Sequence, residues 1–151
     1  MTGVTGFWHA GITVSDLDAS LVFYRDGLGL ELISRSASTP AAAQIWDLPG
    51  AGADVAYLRV PGSTATLELL QFHGVAQRGA AARPWDVAHG HFCLYVSGLD
   101  ALHQRLCALG FWARSSGAVE LGEGPLAGAR CVYMIDPDGY HVELIERAGS
   151  A

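Results

Sequence analysis

Hydrophobic and polar positions alternate in two short runs with a histidine at or next to the start: WHAGITV over residues 8–14 and HFCLYV over residues 91–96. Strict alternation over five to seven residues predicts half-buried strands. A helical pattern follows each run. LDASLVFYRDGLG (residues 17–29) has Asp16 or Asp18 as a cap, and LDALHQRLCALG (residues 99–110) sets Leu99, Leu102, Leu106 and Leu109 on one face, with Gly110 as the stop. An extended segment follows each helix, GLELISRS in the first case and GFWARSSG in the second. Two further alternating runs, TATLELLQF and YHVELIERA, complete the pattern.

The parallel is a repeat. His9 and His91 stand 82 residues apart, and at the same spacing Val14, Ser15, Leu17 and Asp18 meet Val96, Ser97, Leu99 and Asp100. Glu68 and Glu143 stand 75 apart, so the first copy is longer by about seven residues. The extra length is expected in STPAAAQIWDLPGAGADV (residues 38–55), which has little periodicity and reads as a loop. DPDG (residues 136–139) reads as a turn before the last strand. Each copy is thus strand, helix, then about three strands. Module one is expected over about residues 5–72, module two over about 89–147, and a linker over 73–88, all within a single domain of 151 residues.

Side chains on a strand alternate between faces. Trp8, Ala10, Ile12 and Val14 form an apolar face, with Phe7, His9, Gly11 and Thr13 opposite. Phe92, Leu94 and Val96 oppose His91, Cys93 and Tyr95. Leu67 and Leu69 oppose Thr66, Glu68 and Leu70, and Val142 and Leu144 oppose His141, Glu143 and Ile145. In all four strands one face suits packing on helices, and the other carries a His or a Glu, the last strand both His141 and Glu143. A lone strand histidine is more often an ordinary residue than a ligand, and a glutamate on an open face is commonly solvated. The fourfold recurrence makes them a candidate set, because an ionised glutamate inside a packed domain needs a partner or a cation. Two imidazoles and two carboxylates suit a borderline divalent ion: nickel, cobalt, zinc, manganese or iron.

Composition narrows the partners. The net charge is −6, with no Lys/Arg run, which argues against nucleic acid. No apolar run approaches the ~20 residues of a membrane span, and the opening MTGVTGFWHAG lacks a signal-peptide pattern, so a cytoplasmic protein is expected. The three cysteines, Cys93, Cys107 and Cys131, form no CxxC pair and are expected to be small buried hydrophobes rather than disulfides or zinc ligands.

HAGITVSDLDASLVFYRDGLGLEL, TLELLQF, HGHFCLYVSGLDAL and VYMIDPDGYHVELIE together resemble the vicinal oxygen chelate superfamily, which includes glyoxalase I, methylmalonyl-CoA epimerase, extradiol dioxygenases, fosfomycin-modifying enzymes and bleomycin-binding proteins. The resemblance implies an α+β fold of two tandem βαβββ modules, a mixed sheet curled around a cavity, and a homodimer acting on a small molecule. It implies a metal held by His9, Glu68, His91 and Glu143, with Glu143 and Glu68 as the groups that move a proton. The two-His, two-Glu pattern is most similar to bacterial glyoxalase I, implying a metal-dependent lyase or isomerase that works through an enediolate-like intermediate. Two departures argue against glutathione hemithioacetal as substrate. AGITV has no basic residue after the first histidine, and LELLQF has no asparagine after the first glutamate. Phe7, Thr13, Leu70, Cys93, Tyr95 and His141 are candidate substrate contacts, with Phe72 and Trp46 as further aromatic lining or plain core. His141 has a surface position at a strand start as its alternative. Two other readings are an iron dioxygenase, disfavoured by Glu68 in a position that oxygen chemistry needs open, and a non-catalytic binder of an aromatic natural product, disfavoured by the intact ligand set.

Overall fold

In the computed structural model, which describes residues 2–78 and 83–149, the alternating runs become paired strands. The chain divides into two units, Met1–Arg78 and Gly79–Ala151. Of the expected linker, residues 79–82 lie outside the described residues.

The first unit runs β1 (His9–Thr13), α1 (Leu17–Leu21), a wider π-helical turn (Val22–Gly27), β2 (Glu31–Ala37), α2 (Pro40–Ile45), β3 (Gly52–Arg59) and β4 (Thr66–His73). Its open sheet has the order β1-β4-β3-β2, with β1 parallel to β4 and the other pairs antiparallel. Ile12, Val14, Ala56, Leu58, Leu67 and Leu69 form its buried face. Helix α1 packs on β3 and β4, and Leu17, Leu21, Phe23 and Tyr24 are buried with that face. Leu28 N–H reaches back five residues to the Phe23 carbonyl (2.8 Å), and the adjacent Phe23 and Tyr24 rings are both fully buried, edge to face at 4.9 Å.

The second unit runs β5 (His91–Tyr95), α3 (Leu99–Ala108), β6 (Trp112–Ala113), β7 (Val119–Glu120), β8 (Arg130–Ile135) and β9 (His141–Glu146). Its sheet has the order β5-β9-β8-β6, with β7 also on β8, and β5 is parallel to β9. Leu99, Leu106, Val132, Met134, Val142 and Leu144 are fully buried or nearly so. The architecture is α+β, two mixed sheets with few helices. Among the described residues no helix is long and apolar enough to cross a membrane.

Both helix starts are tied to the last strand of their unit. Asp16 caps α1, its Oδ1 accepting from Ala19 N–H (3.0 Å), and Gln71 Oε1 accepts from Leu17 N–H (2.9 Å). The equivalent of Asp16 is Gly98, which has no side chain to offer and sits at φ +66°. There Glu146 Oε1 accepts from both Gly98 N–H (2.6 Å) and Leu99 N–H (3.1 Å). Gln71 and Glu146 each stand three residues beyond the strand glutamate. The DPDG turn forms as expected. Asp136 Oδ1 accepts from Asp138 N–H and Tyr140 N–H, and Gly139 takes φ +91°.

Several expectations need correction. Residues 38–55 are not a plain loop, because they hold α2 and the start of β3. Three alanines behind an N-terminal proline favour a helix through propensity and a preset φ, without any apolar stripe; α2 accordingly buries nothing. Trp8 does not join the helix-facing side. It precedes β1, so alternation does not govern it, and it is 69% exposed. Leu109 lies past the last turn of α3 and is also exposed. Ile145, on the face opposite the main core, is buried with Ala129 and Cys131 in a small second cluster. Of the cysteines, only Cys131 is buried; Cys93 and Cys107 are exposed.

Burial of the Phe23 ring and the Asp16 cap stabilise the same corner by different means. Phe23→Ala is expected to cost about 3–5 kcal/mol, and Asp16→Ala about 1 kcal/mol, in urea unfolding. Equal costs would show that the cap anchors this corner as much as the ring does.

Candidate functional site

Register brings His9 and Glu68 together. Parallel pairing sets Gly11 opposite Glu68, and antiparallel pairing sets Tyr57 opposite Glu68 on its other side. His9 Nε2 lies 3.2 Å from Glu68 Oε2. A methyl group on Gly11 would sit 3.3 Å from that same oxygen, so glycine leaves the carboxylate its room. The Tyr57 hydroxyl donates to Glu68 Oε1. That bond first, then burial and the carboxylate charge, pushes the phenol up to about 12, so it stays a protonated donor at neutral pH. Trp8 stacks on the Tyr57 ring (5.9 Å, 17°) and meets His9 edge-on at 4.6 Å.

The second unit builds the same pair. Cys93 and Tyr133 flank Glu143 in register. His91 Nε2 lies 3.4 Å from Glu143 Oε2, and Tyr133 Oη lies 3.2 Å from the same nitrogen. Glu143 Oε1 accepts from the Cys131 thiol (3.3 Å). Burial first, then that bond and the carboxylate charge, pushes the thiol up to about 12. It is therefore a weak neutral donor rather than a nucleophile.

The donor chemistry of each pair fits a cation. A neutral imidazole nitrogen bare of its proton and a carboxylate oxygen, both electron-rich, repel at this separation unless a proton or a metal ion lies between them. His9 Nδ1 is buried without a protein partner among the described residues, so Glu68 is the carboxylate that faces the ring, through Nε2. Among the described residues no three His, Cys, Asp or Glu side chains are grouped to hold a metal ion; each unit presents one His–Glu pair.

The expected substrate contacts divide. Thr13 and Leu70 pair in register, two residues along their strands from Gly11 and Glu68, and Cys93 is paired with Glu143. Phe7 precedes β1 and is 78% exposed, so the structure does not bring it into a lining. Tyr95 is 59% exposed under the Arg147 guanidinium (3.9 Å). It borders cavities of about 330 and 400 Å³ whose lining does not include His91 or Glu143. Phe72 and Trp46 pack on each other at 4.6 Å. His141 is not at the surface. It is 3% exposed, with Nδ1 at 3.2 Å from His89 Nε2 and a buried Nε2 lacking a partner among the described residues.

Two residues escaped the sequence reading, Tyr57 and Tyr133. Both stand opposite a strand glutamate. The signal was present as AYL and VYM, a tyrosine between aliphatic residues repeated 76 positions apart. It lies in the third strand-like segment of each copy, where the repeat is least obvious.

Against this geometry the comparisons are consistent. The chain belongs to the Glyoxalase/Bleomycin resistance protein/Dioxygenase superfamily, whose family model matches residues 6–144. A 2-epi-5-epi-valiolone epimerase from Actinomyces is 29% identical, the match covering 99% of this chain and 83% of the relative. A lactoylglutathione lyase from Haemophilus influenzae is 30% identical, covering 91% and 90%. A glyoxalase family protein from Bacillus cereus superposes with a TM-score of 0.86 over 98% of this chain and 97% of its own, at 20% identity, a likeness of fold.

Burial holds His141 below the ordinary histidine value of 6.5, with His89, Arg114 and His91 adding to the effect. The unfolded chain therefore takes up a proton near 6.5 that the folded chain refuses until lower pH. Stability from this residue is full above 6.5 and declines as pH falls below it, levelling once the folded residue titrates. His141→Gln is expected to shallow that decline in thermal unfolding followed across pH; an unchanged slope would assign it to other groups.

Proposed function

We propose that the chain is a metal-dependent lyase or isomerase of the glyoxalase type, acting on a small substrate with vicinal oxygens. The observation that carries this reading is the repeated pair, histidine Nε2 against glutamate Oε2 at 3.2 and 3.4 Å. His9, Glu68, His91 and Glu143 would hold one divalent ion of the nickel, cobalt, zinc, manganese or iron group, the four ligands coming from one chain or from two in a homodimer. The ion supplies Lewis acidity, lowering the cost of taking a proton from a carbon beside a carbonyl. Glu143, with Glu68 as its counterpart, moves that proton. Tyr57 and Tyr133 keep their hydroxyl protons at neutral pH and serve as donors.

The names of the relatives support the same chemistry. An epimerase of a valiolone, a hydroxy ketone, and a lyase forming or cleaving lactoylglutathione both fit reactions that begin at carbon next to a carbonyl. The absence of a basic residue in AGITV favours an uncharged hydroxy ketone over a glutathione adduct. We place the protein in the cytoplasm.

Elemental analysis of the purified, dialysed protein tests the reading. Near one equivalent of one of these metals per chain is expected, with a clear reduction in Glu68→Gln. No metal bound, and none taken up on titration, would overturn it. Iron as the resident metal would shift the reading to oxygen chemistry.

A further inference from the structure

The two tyrosines hold equivalent places in register yet meet different atoms. Tyr57 donates to Glu68 Oε1, the oxygen turned away from His9. Tyr133 divides its hydroxyl between Glu143 and His91 Nε2 (3.2 Å), the nitrogen that faces the carboxylate of its own pair. The two glutamates are therefore held in different ways. Glu68 Oε1 accepts from a phenol, a charge-assisted bond of the strong kind. Glu143 Oε1 accepts from the Cys131 thiol at 3.3 Å, a weak donor.

Tyr57 is itself well fixed. Its ring stacks on Trp8 (5.9 Å, 17°) and meets His9 edge-on at 5.8 Å. On the far side of Glu68, Gly11 leaves the room that Oε2 occupies. Phenol, carboxylate and imidazole thus form a chain across three neighbouring strands, with one carboxylate oxygen tied down and the other presented to His9.

We propose that Tyr57 is a positioning residue that ties down one oxygen of Glu68 and so makes it a fixed ligand through Oε2 alone. This rests on the metal reading above. The donors differ: the Tyr57 phenol is given to Glu68, whereas the Tyr133 phenol is shared between Glu143 and His91. Without Tyr57, Glu68 is free to rotate or to offer both oxygens, which alters both affinity and coordination.

Cobalt(II) is the probe. Apo wild type, Tyr57→Phe, Trp8→Leu and Tyr133→Phe are titrated with cobalt(II) against a chelator, and the visible spectrum of the saturated protein is recorded for each. Loss of the hydroxyl in Tyr57→Phe is expected to weaken cobalt about 10–100-fold and to change the visible bands at saturation. Trp8→Leu, which removes the ring stacked on Tyr57 and edge-on to His9 but no donor atom, should act in the same direction more weakly, and it keeps the test alive if Tyr57→Phe does not fold. Tyr133→Phe, whose hydroxyl is shared between Glu143 and His91, is expected to weaken cobalt less than Tyr57→Phe does. A Tyr57→Phe protein with wild-type affinity and spectrum overturns the inference, as do equal losses in the two tyrosine variants. A wild type that takes up no cobalt overturns the metal reading itself, and this inference with it.

Discussion

Parallel pairing of the first strand of each unit with its last is the constraint on which the candidate site depends. Histidine stands at the start of the first strand and glutamate at the third position of the last, and the parallel register lays one beside the other. A slip of one residue would turn the glutamate to the helix-covered face, where an ionised carboxylate has no partner. The apolar face guards against the slip. Leu67 and Leu69 in one unit, and Val142 and Leu144 in the other, are buried against helices and would be driven into water by the same shift. The packing that stabilises each sheet thus also sets the geometry of its polar pair.

The same last strands restrain the helices. Gln71 and Glu146, three residues past the glutamates, satisfy the N–H groups at the starts of α1 and α3. One strand therefore supplies both the acidic side chain and the cap of the helix that covers its other face. Where Asp16 shares the capping, a neutral amide suffices. Where Gly98 cannot, a charged carboxylate takes two backbone donors and favours the positive end of the helix. Such coupling ties the glutamate's position to the fold's own stability.

The two copies differ in the groups around the glutamates. The tyrosines opposite them keep their place and both bond a glutamate, but Tyr133 also meets its histidine, and the thiol of Cys131 bonds Glu143 where Tyr57 bonds Glu68.

Much of this was legible in the sequence. Period-two alternation announced the strands and their buried faces, because burial of one face imposes that pattern locally. The repeat of His9, Glu68, His91 and Glu143 was readable as a set, because each stands at a definite distance from recognisable strand and helix signals. Helix α2 was not legible from periodicity, since it buries nothing and forms on propensity alone. Nor did alternation locate Trp8, which lies outside β1 and turns onto Tyr57, or His141, whose burial comes from neighbours on other segments such as His89. The sequence by itself determined the period, the repeat and the chemical types of the candidate ligands, all of which are local or recur at fixed spacing. Only the tertiary structure decided which atoms meet, Tyr57 on Glu68 and Cys131 on Glu143, because cross-strand register joins residues ten or more positions apart and leaves no local mark of their contact.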